Sequence, residues 1–240
     1  MNSVWFTDNR DPVACAAAAY LAGRSWRVAL NDLGGKAVLG SEKTLVDLTD
    51  LHAIRAALEV FGGTLAGVVH SAPPPVHTGV ENADENQWQA AFSDGALASL
   101  LVTQAAGERL TALGRGAILH LGSIHAEKPM GNGFLFSMGC AATQMLCKEA
   151  ALDYGTKGVH CVYIQRGVMA HDTANKSRVS NQYCGIPHRY PKGRIPGPDS
   201  LNGLIAFLLT PEASPLNGAD LMADEGYVMY YGSHAEGKHG

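Results

Sequence analysis

The sequence predicts an α/β fold, a single domain over residues 1–240 built on one doubly wound parallel sheet with helices on both faces. Three observations predict it. Short apolar runs of strand length alternate with helical stretches along the whole chain. Glycine is abundant, 28 of 240 residues, as many tight strand-to-helix turns require. No repeat, low-complexity tract or linker divides the chain, and its length suits one α/β domain.

The elements follow in order. Val4-Trp5-Phe6 is an apolar run ending at polar Thr7-Asp8-Asn9, a first strand, and a helix follows from Pro12 to Ala22. Trp26–Leu30 is a second strand and Thr44–Leu48 a third. Apolar spacing at Ile54, Leu58 and Phe61 marks a helix from Leu51 to Phe61. Leu65–Val69 is a fourth strand, Ala83–Leu113 a long helical region and Ala117–Leu121 a fifth strand. A helix rich in small residues runs from Phe134 to Tyr154, a sixth strand from Val159 to Ile164, and a helix from Ser200 to Leu209. Leu221-Met222 forms a last short strand. The Pro/Gly-rich stretch within 173–198 reads as a long functional loop, and 227–240 as a C-terminal tail.

Composition excludes several function classes. With 46% hydrophobic and 17% charged residues, the chain has a real core and is not disordered. A net charge of −4 argues against nucleic acid or an anionic membrane as the main partner, because either would need a large positive field. The strongest apolar stretch, Val13–Gly23, is shorter than the ~20 residues of a membrane span. The first residues lack the basic-then-apolar order of a signal peptide. Five cysteines without a CxxC pattern read as reduced thiols, so a cytoplasmic location is expected. No Cys/His cluster has zinc spacing, so no metal site is expected.

Four segments carry a resemblance. They are Val46-Asp47-Leu48-Thr49-Asp50, Gly116 to Ser123, Ala141 to Gly158, and Gly203 to Gly226 with Asn217-Gly218 and Ala223-Asp224-Glu225-Gly226. In their order and spacing they resemble the short-chain dehydrogenase/reductase (SDR) family over about Ser3 to Tyr227. The resemblance implies a Rossmann-like fold, a nicotinamide dinucleotide, and a catalytic Asn-Ser-Tyr-Lys set.

This sequence departs from that pattern at each functional position. The first turn of the family reads TGxxxGxG; here Thr7 to Ala14 occupies it, with Asp8, Pro12 and Ala14 at the three glycines and Asp11 between them. Those glycines let backbone N–H groups close on a pyrophosphate at a helix N-terminus. Asp11 is a good N-cap and Pro12 a good first helical residue, so the helix start is well made but already holds a carboxylate. The family's NNAG becomes His70-Ser71-Ala72-Pro73, followed by Pro74 and Pro75. The catalytic positions map onto Gly95, Ser123, Phe136 and Cys140, so only the serine survives. Phe136 has no proton to carry during hydride transfer, and Cys140 supplies no fixed cation to lower a phenol's pKa. After the sixth strand, Arg166 stands for the family's proline and His171 for a threonine.

The expectation is therefore that this chain binds no cofactor and is catalytically silent. It would assemble with an active SDR subunit that carries NAD or NADP, as a heterotetramer through helices 82–113 and 134–154 and the C-terminal strand. Tyr227, Tyr230 and Tyr231 form an aromatic cluster that a monomer would expose. The alternative is a cofactor-independent lyase, isomerase or cyclase using Ser123 and a nearby histidine. His125 is the better placed, while His120 alternates with Leu119 and Leu121 and points away from them. His70 and Cys140 read as packing residues. Lys176, Arg178, Arg189, Lys192 and Arg194 share a segment that has no acid. They suit phosphates or carboxylates such as those of an acyl-CoA, a solvated loop, or an acidic partner chain.

Overall fold

Alternation along the first strand sets the architecture. Val4 and Phe6 point to one side of the sheet and Trp5 to the other, and all three are fully buried. A strand buried on both faces belongs inside a parallel sheet covered by helices. The computed structural model describes residues 1–172 and 189–229, and among them seven parallel strands lie in the order β3-β2-β1-β4-β5-β6-β7. The strands are β1 (Ser3–Phe6), β2 (Arg27–Asn31), β3 (Ser41–Thr44), β4 (Leu65–Ser71), β5 (Gly116–Ser123), β6 (Val159–Arg166) and β7 (Asp220–Ala223). Helices α1 (Pro12–Ala22) and α6 (Asn202–Leu208) cover the Val4/Phe6 face. Helices α2 (Leu51–Glu59), α4 (Ala98–Leu113) and α5 (Phe134–Gly155) cover the Trp5 face, with α3 (Glu85–Phe92) leading into α4. Strand order reverses between β1 and β4, so the crevice for a ligand opens at their carboxyl ends.

Three expected boundaries move. The third strand is Ser41–Thr44, not Thr44–Leu48. Its register on β2 pairs Val28 with Ser41 and Asn31 with Thr44, and beyond that point the Asn31 side chain holds both backbone groups of Val46. Leu45 is left exposed while Val46 reaches the core, so the apolar run that suggested a strand lacks the uniform burial of an inner one. The long helix begins at Glu85, after Asp84 forms a capping box with Gln87. It is interrupted by a π-helical turn over Ser93–Leu97, a bend without a compositional signal. The last helix starts as a 3₁₀ turn, Pro198–Leu201.

Helices α4 and α5 approach closely at Gly107, where an added Cβ would fall 2.2 Å from the Tyr154 ring. No helix among the described residues is long and apolar enough to cross a membrane. Of the tail, Tyr227 is half-buried against Tyr190, with ring centroids 5.1 Å apart, so it does not contribute the exposed aromatic surface expected of it. Tyr230 and Tyr231 lie outside the described residues, as do Lys176, Arg178 and most of the 173–198 segment.

Candidate functional site

The crevice begins at the turn between β1 and α1. Asp11 caps α1, its Oδ1 accepting the Val13 N–H at 3.0 Å. The same oxygen accepts from Nη1 of Arg166, at the end of β6, at 2.8 Å. Both side chains are largely buried, 4% exposed for Asp11 and 15% for Arg166. Burial alone would raise the Asp11 carboxyl, but the charge and hydrogen bond of Arg166 outweigh it and hold the group below its ordinary value. Arg166 therefore does more than replace a proline: it neutralises the carboxylate lodged at the helix N-terminus. Asp8 is held separately by a fork from Arg10, with Nε–Oδ1 at 3.0 Å and Nη2–Oδ2 at 2.7 Å.

One residue further, Asn9 ties the turn to the loop after β2. Its Oδ1 accepts from the N–H groups of Leu33 and Gly35, and its Nδ2 donates to Asp32. The main chains are so close that a Cβ on Gly35 would lie 2.0 Å from the Asn9 carbonyl oxygen.

The residues of this turn do not fit a pyrophosphate. The Val13 N–H that would face an anion already serves Asp11, and a diphosphate would have to displace an internal ion pair.

The remaining crevice is open. A cleft of about 490 Å³ is bordered by Arg10, Ser123, His125, Phe136, Arg166 and His171, among others. The Ser123 hydroxyl accepts the backbone N–H of His125 at 3.2 Å, and no hydrogen bond joins it to an imidazole among the described residues. Nδ1 of His125 faces the Lys128 carbonyl at 3.0 Å, so Nδ1 carries the proton and Nε2 is the basic nitrogen. Burial lowers the His125 pKa, against the opposing effects of the Lys128 carbonyl and Asp172. His171 approaches Asp172 at 3.2 Å, and burial lowers its pKa too.

Phe136 and Cys140 do come close to Ser123: Phe136 lines the cleft with it, and the Cys140 thiol lies within reach of the Ser123 backbone N–H. With Gly95 they border a second, smaller cavity, of about 110 Å³, between the α3–α4 bend and α5, and Phe136 stands between it and the cleft that Ser123 borders. Burial pushes the Cys140 thiol up to about 12, as fits a packing residue rather than a nucleophile. His70 is also a packing residue, its Nδ1 and Nε2 bonded to the hydroxyls of Thr7 (2.9 Å) and Ser99 (3.1 Å). His120 lies on the same side of the sheet, edge-on to His70 with centroids 5.6 Å apart, opposite the Leu119/Leu121 face as expected.

Sequence reasoning missed Tyr163. From β6 its phenol crosses to the Ser123 N–H (3.2 Å), over Gly122, where a Cβ would lie 2.0 Å from the phenolic oxygen. Burial raises its pKa well above the ordinary tyrosine value, so this phenol stays protonated at neutral pH while it props the backbone. The glycine before Ser123 was the available signal. Of the basic residues in the described part of 189–198, Lys192 pairs with Glu225 at 3.4 Å and Arg189 lies over Tyr227. An acid from outside the segment thus partly balances it.

A family model described as enoyl-(acyl carrier protein) reductase matches residues 9–228, nearly the whole chain. The chain belongs to the SDR family. The SDR relatives are oxidoreductases. D-threitol dehydrogenase of Mycolicibacterium smegmatis is 24% identical over 231 residues, covering 90% of this chain and 89% of that protein. Among solved SDR structures, the aldohexose dehydrogenase of Thermoplasma acidophilum superposes with TM-score 0.84 at 17% identity, covering 96% of each chain. A protein of Beutenbergia cavernae described as a putative NAD(P)-dependent gluconate 5-dehydrogenase, with bound NADP, superposes with TM-score 0.82 at 20% identity, covering 95% of this chain and 97% of that one. These structural likenesses give the SDR fold, with seven parallel strands between helical layers.

Proposed function

We propose that this chain is a non-catalytic SDR subunit that pairs with an active, NAD- or NADP-dependent SDR chain in a hetero-oligomeric alcohol dehydrogenase. The observation that carries this reading is the buried Asp11–Arg166 ion pair on the Val13 N–H, where an active SDR needs a free anion site. Phe136 and Cys140 support it, since neither supplies the proton or the cation that carbonyl reduction uses. Assembly is supported by apolar side chains left outside on two helices: Leu97 and Leu100 before and on α4, and Met138, Met145 and Leu152 on α5, the last 76% exposed. Exposed Met222 adds the β7 edge.

A hydroxyacyl-CoA is the substrate class we favour for the complex, in the manner of hydroxybenzylsuccinyl-CoA dehydrogenase, with Arg194 and its basic neighbours toward the CoA phosphates. Titration of the purified chain with NADH and NADPH tests the reading. No saturable fluorescence change is expected, whereas co-expression with its native SDR partner gives a stable complex that oxidises alcohols. Micromolar dinucleotide binding or alcohol oxidation by the chain alone overturns it.

The open cleft beside Ser123 and His125 favours a second reading, a cofactor-independent lyase, isomerase or cyclase. A homomeric protein with turnover that His125→Ala abolishes would establish it in place of the first.

A further inference from the structure

The smaller cavity has a graded wall. At its mouth Pro74, Val76 and Asp94 are exposed, and at its floor His120, Cys140 and Tyr163 are buried. Most of the lining is apolar, including Pro73, Leu135 and Phe136. A dry cavity of about 150 Å³ is enough to admit benzene, so about 110 Å³ with an open mouth takes a single ring or a short chain.

The polar content of the floor is specific. The Thr103 hydroxyl donates to the Ser99 carbonyl at 2.7 Å, so it accepts from Nε2 of His120, 3.1 Å away. That fixes the His120 tautomer: Nε2 carries the proton and Nδ1 is a lone-pair acceptor. The residue is 1% exposed, and Nδ1 has no hydrogen-bond partner among the described residues. Nε2 being engaged, Nδ1 is the ring nitrogen without a partner, on a residue that borders the cavity. Burial keeps this imidazole neutral, lowering its pKa to about 3, and the Cys140 thiol is neutral as well. Arg10, which also lines the cavity, is already paired with Asp8, so an anionic guest would lose its hydration at the floor without gaining a free counter-charge.

Two glycines hold the space open. A Cβ on Gly139 would meet nothing within 4 Å, and one on Gly95 only ordinary contacts at 3.9 Å. Gly139 sits inside a 22-residue helix, where glycine is a poor choice unless the volume is needed.

We propose that this cavity is a binding site for a small uncharged molecule with an apolar body and one hydroxyl or N–H donor, the donor meeting Nδ1 of His120. The cavity meets the open cleft at Arg10, Pro74 and Phe136, and the proposal does not depend on whether the chain is catalytic.

Calorimetric titration with phenol, benzene and benzoate tests it, together with a crystal grown in phenol. Phenol binds saturably at one site, benzene at least tenfold more weakly, and benzoate not at all. Gly139→Leu abolishes phenol binding while keeping the far-ultraviolet spectrum and a cooperative melt. His120→Phe brings phenol down to the level of benzene. Equal affinity for phenol and benzene, unchanged binding by Gly139→Leu, or a crystal with only ordered water against His120 overturns the proposal.

Discussion

Asp11 and Arg166 stand 155 residues apart, and each is a buried charge whose cost is offset by the other. Arg166→Met leaves the Asp11 carboxylate inside without its counter-charge, and we expect a loss of about 3–5 kcal/mol in urea denaturation. Asp11→Asn combined with Arg166→Met recovers most of that loss, because no charge is then stranded. The buried histidines give a pH signature. His70 titrates at about 4 and His120 at about 3 in the folded chain, both lowered chiefly by burial, from an ordinary value of 6.5. Below pH 6.5 the unfolded chain takes up protons that the folded chain refuses, so stability is lost as pH falls from 6.5 toward 4. Each histidine contributes a slope of about 1.4 kcal/mol per pH unit in that window. Urea midpoints across this range check it, and His120→Phe removes its share of the slope. At this scale the sequence was readable where a residue acts through its neighbours in the chain. Asp11 was legible as a helix cap because the bond to Val13 is local. Its ion pair was not, because nothing in the two segments says which buried charge meets which. Tyr163 was equally hidden, its reach depending on a glycine in the adjacent strand.

Helices α4 and α5 each carry a buried glycine, and substitution separates their roles. Gly139 faces open space, so Gly139→Ala gains helix propensity of about 1 kcal/mol without a clash and raises the melting temperature. Gly107, on the opposing α4, lies under the Tyr154 ring, so Gly107→Ala forces that ring away and lowers stability by about 1–3 kcal/mol. Parallel thermal melts of the two variants, moving in opposite directions, check both. The existence of nearly every element was legible from alternation and helical spacing. The boundaries that moved did so for tertiary reasons. Leu45 and Leu48 supplied strand-like composition, but the sheet pairs residues 41–44 and hands residue 46 to the Asn31 side chain. The π turn at Ser93–Leu97 had no signature, since it accommodates the packing of α3 and α4 against α5.

At the scale of the whole molecule, the apolar side chains outside α4 and α5 set an expectation for association. Leu100→Glu with Met145→Glu should shift the sedimentation profile toward monomer while the melt stays cooperative, because both side chains are about half-exposed and carry little of the core. Fold and family could be read in the sequence because they rest on the order of segments. The shape of the crevice could not, because it depends on how two loops meet. The close seating of Gly35 on the Asn9 carbonyl has a lasting effect. Any side chain at 35 would push the loop after β2 away from the first turn and strain the two N–H bonds that Asn9 accepts, so one missing methyl group fixes how the two loops sit.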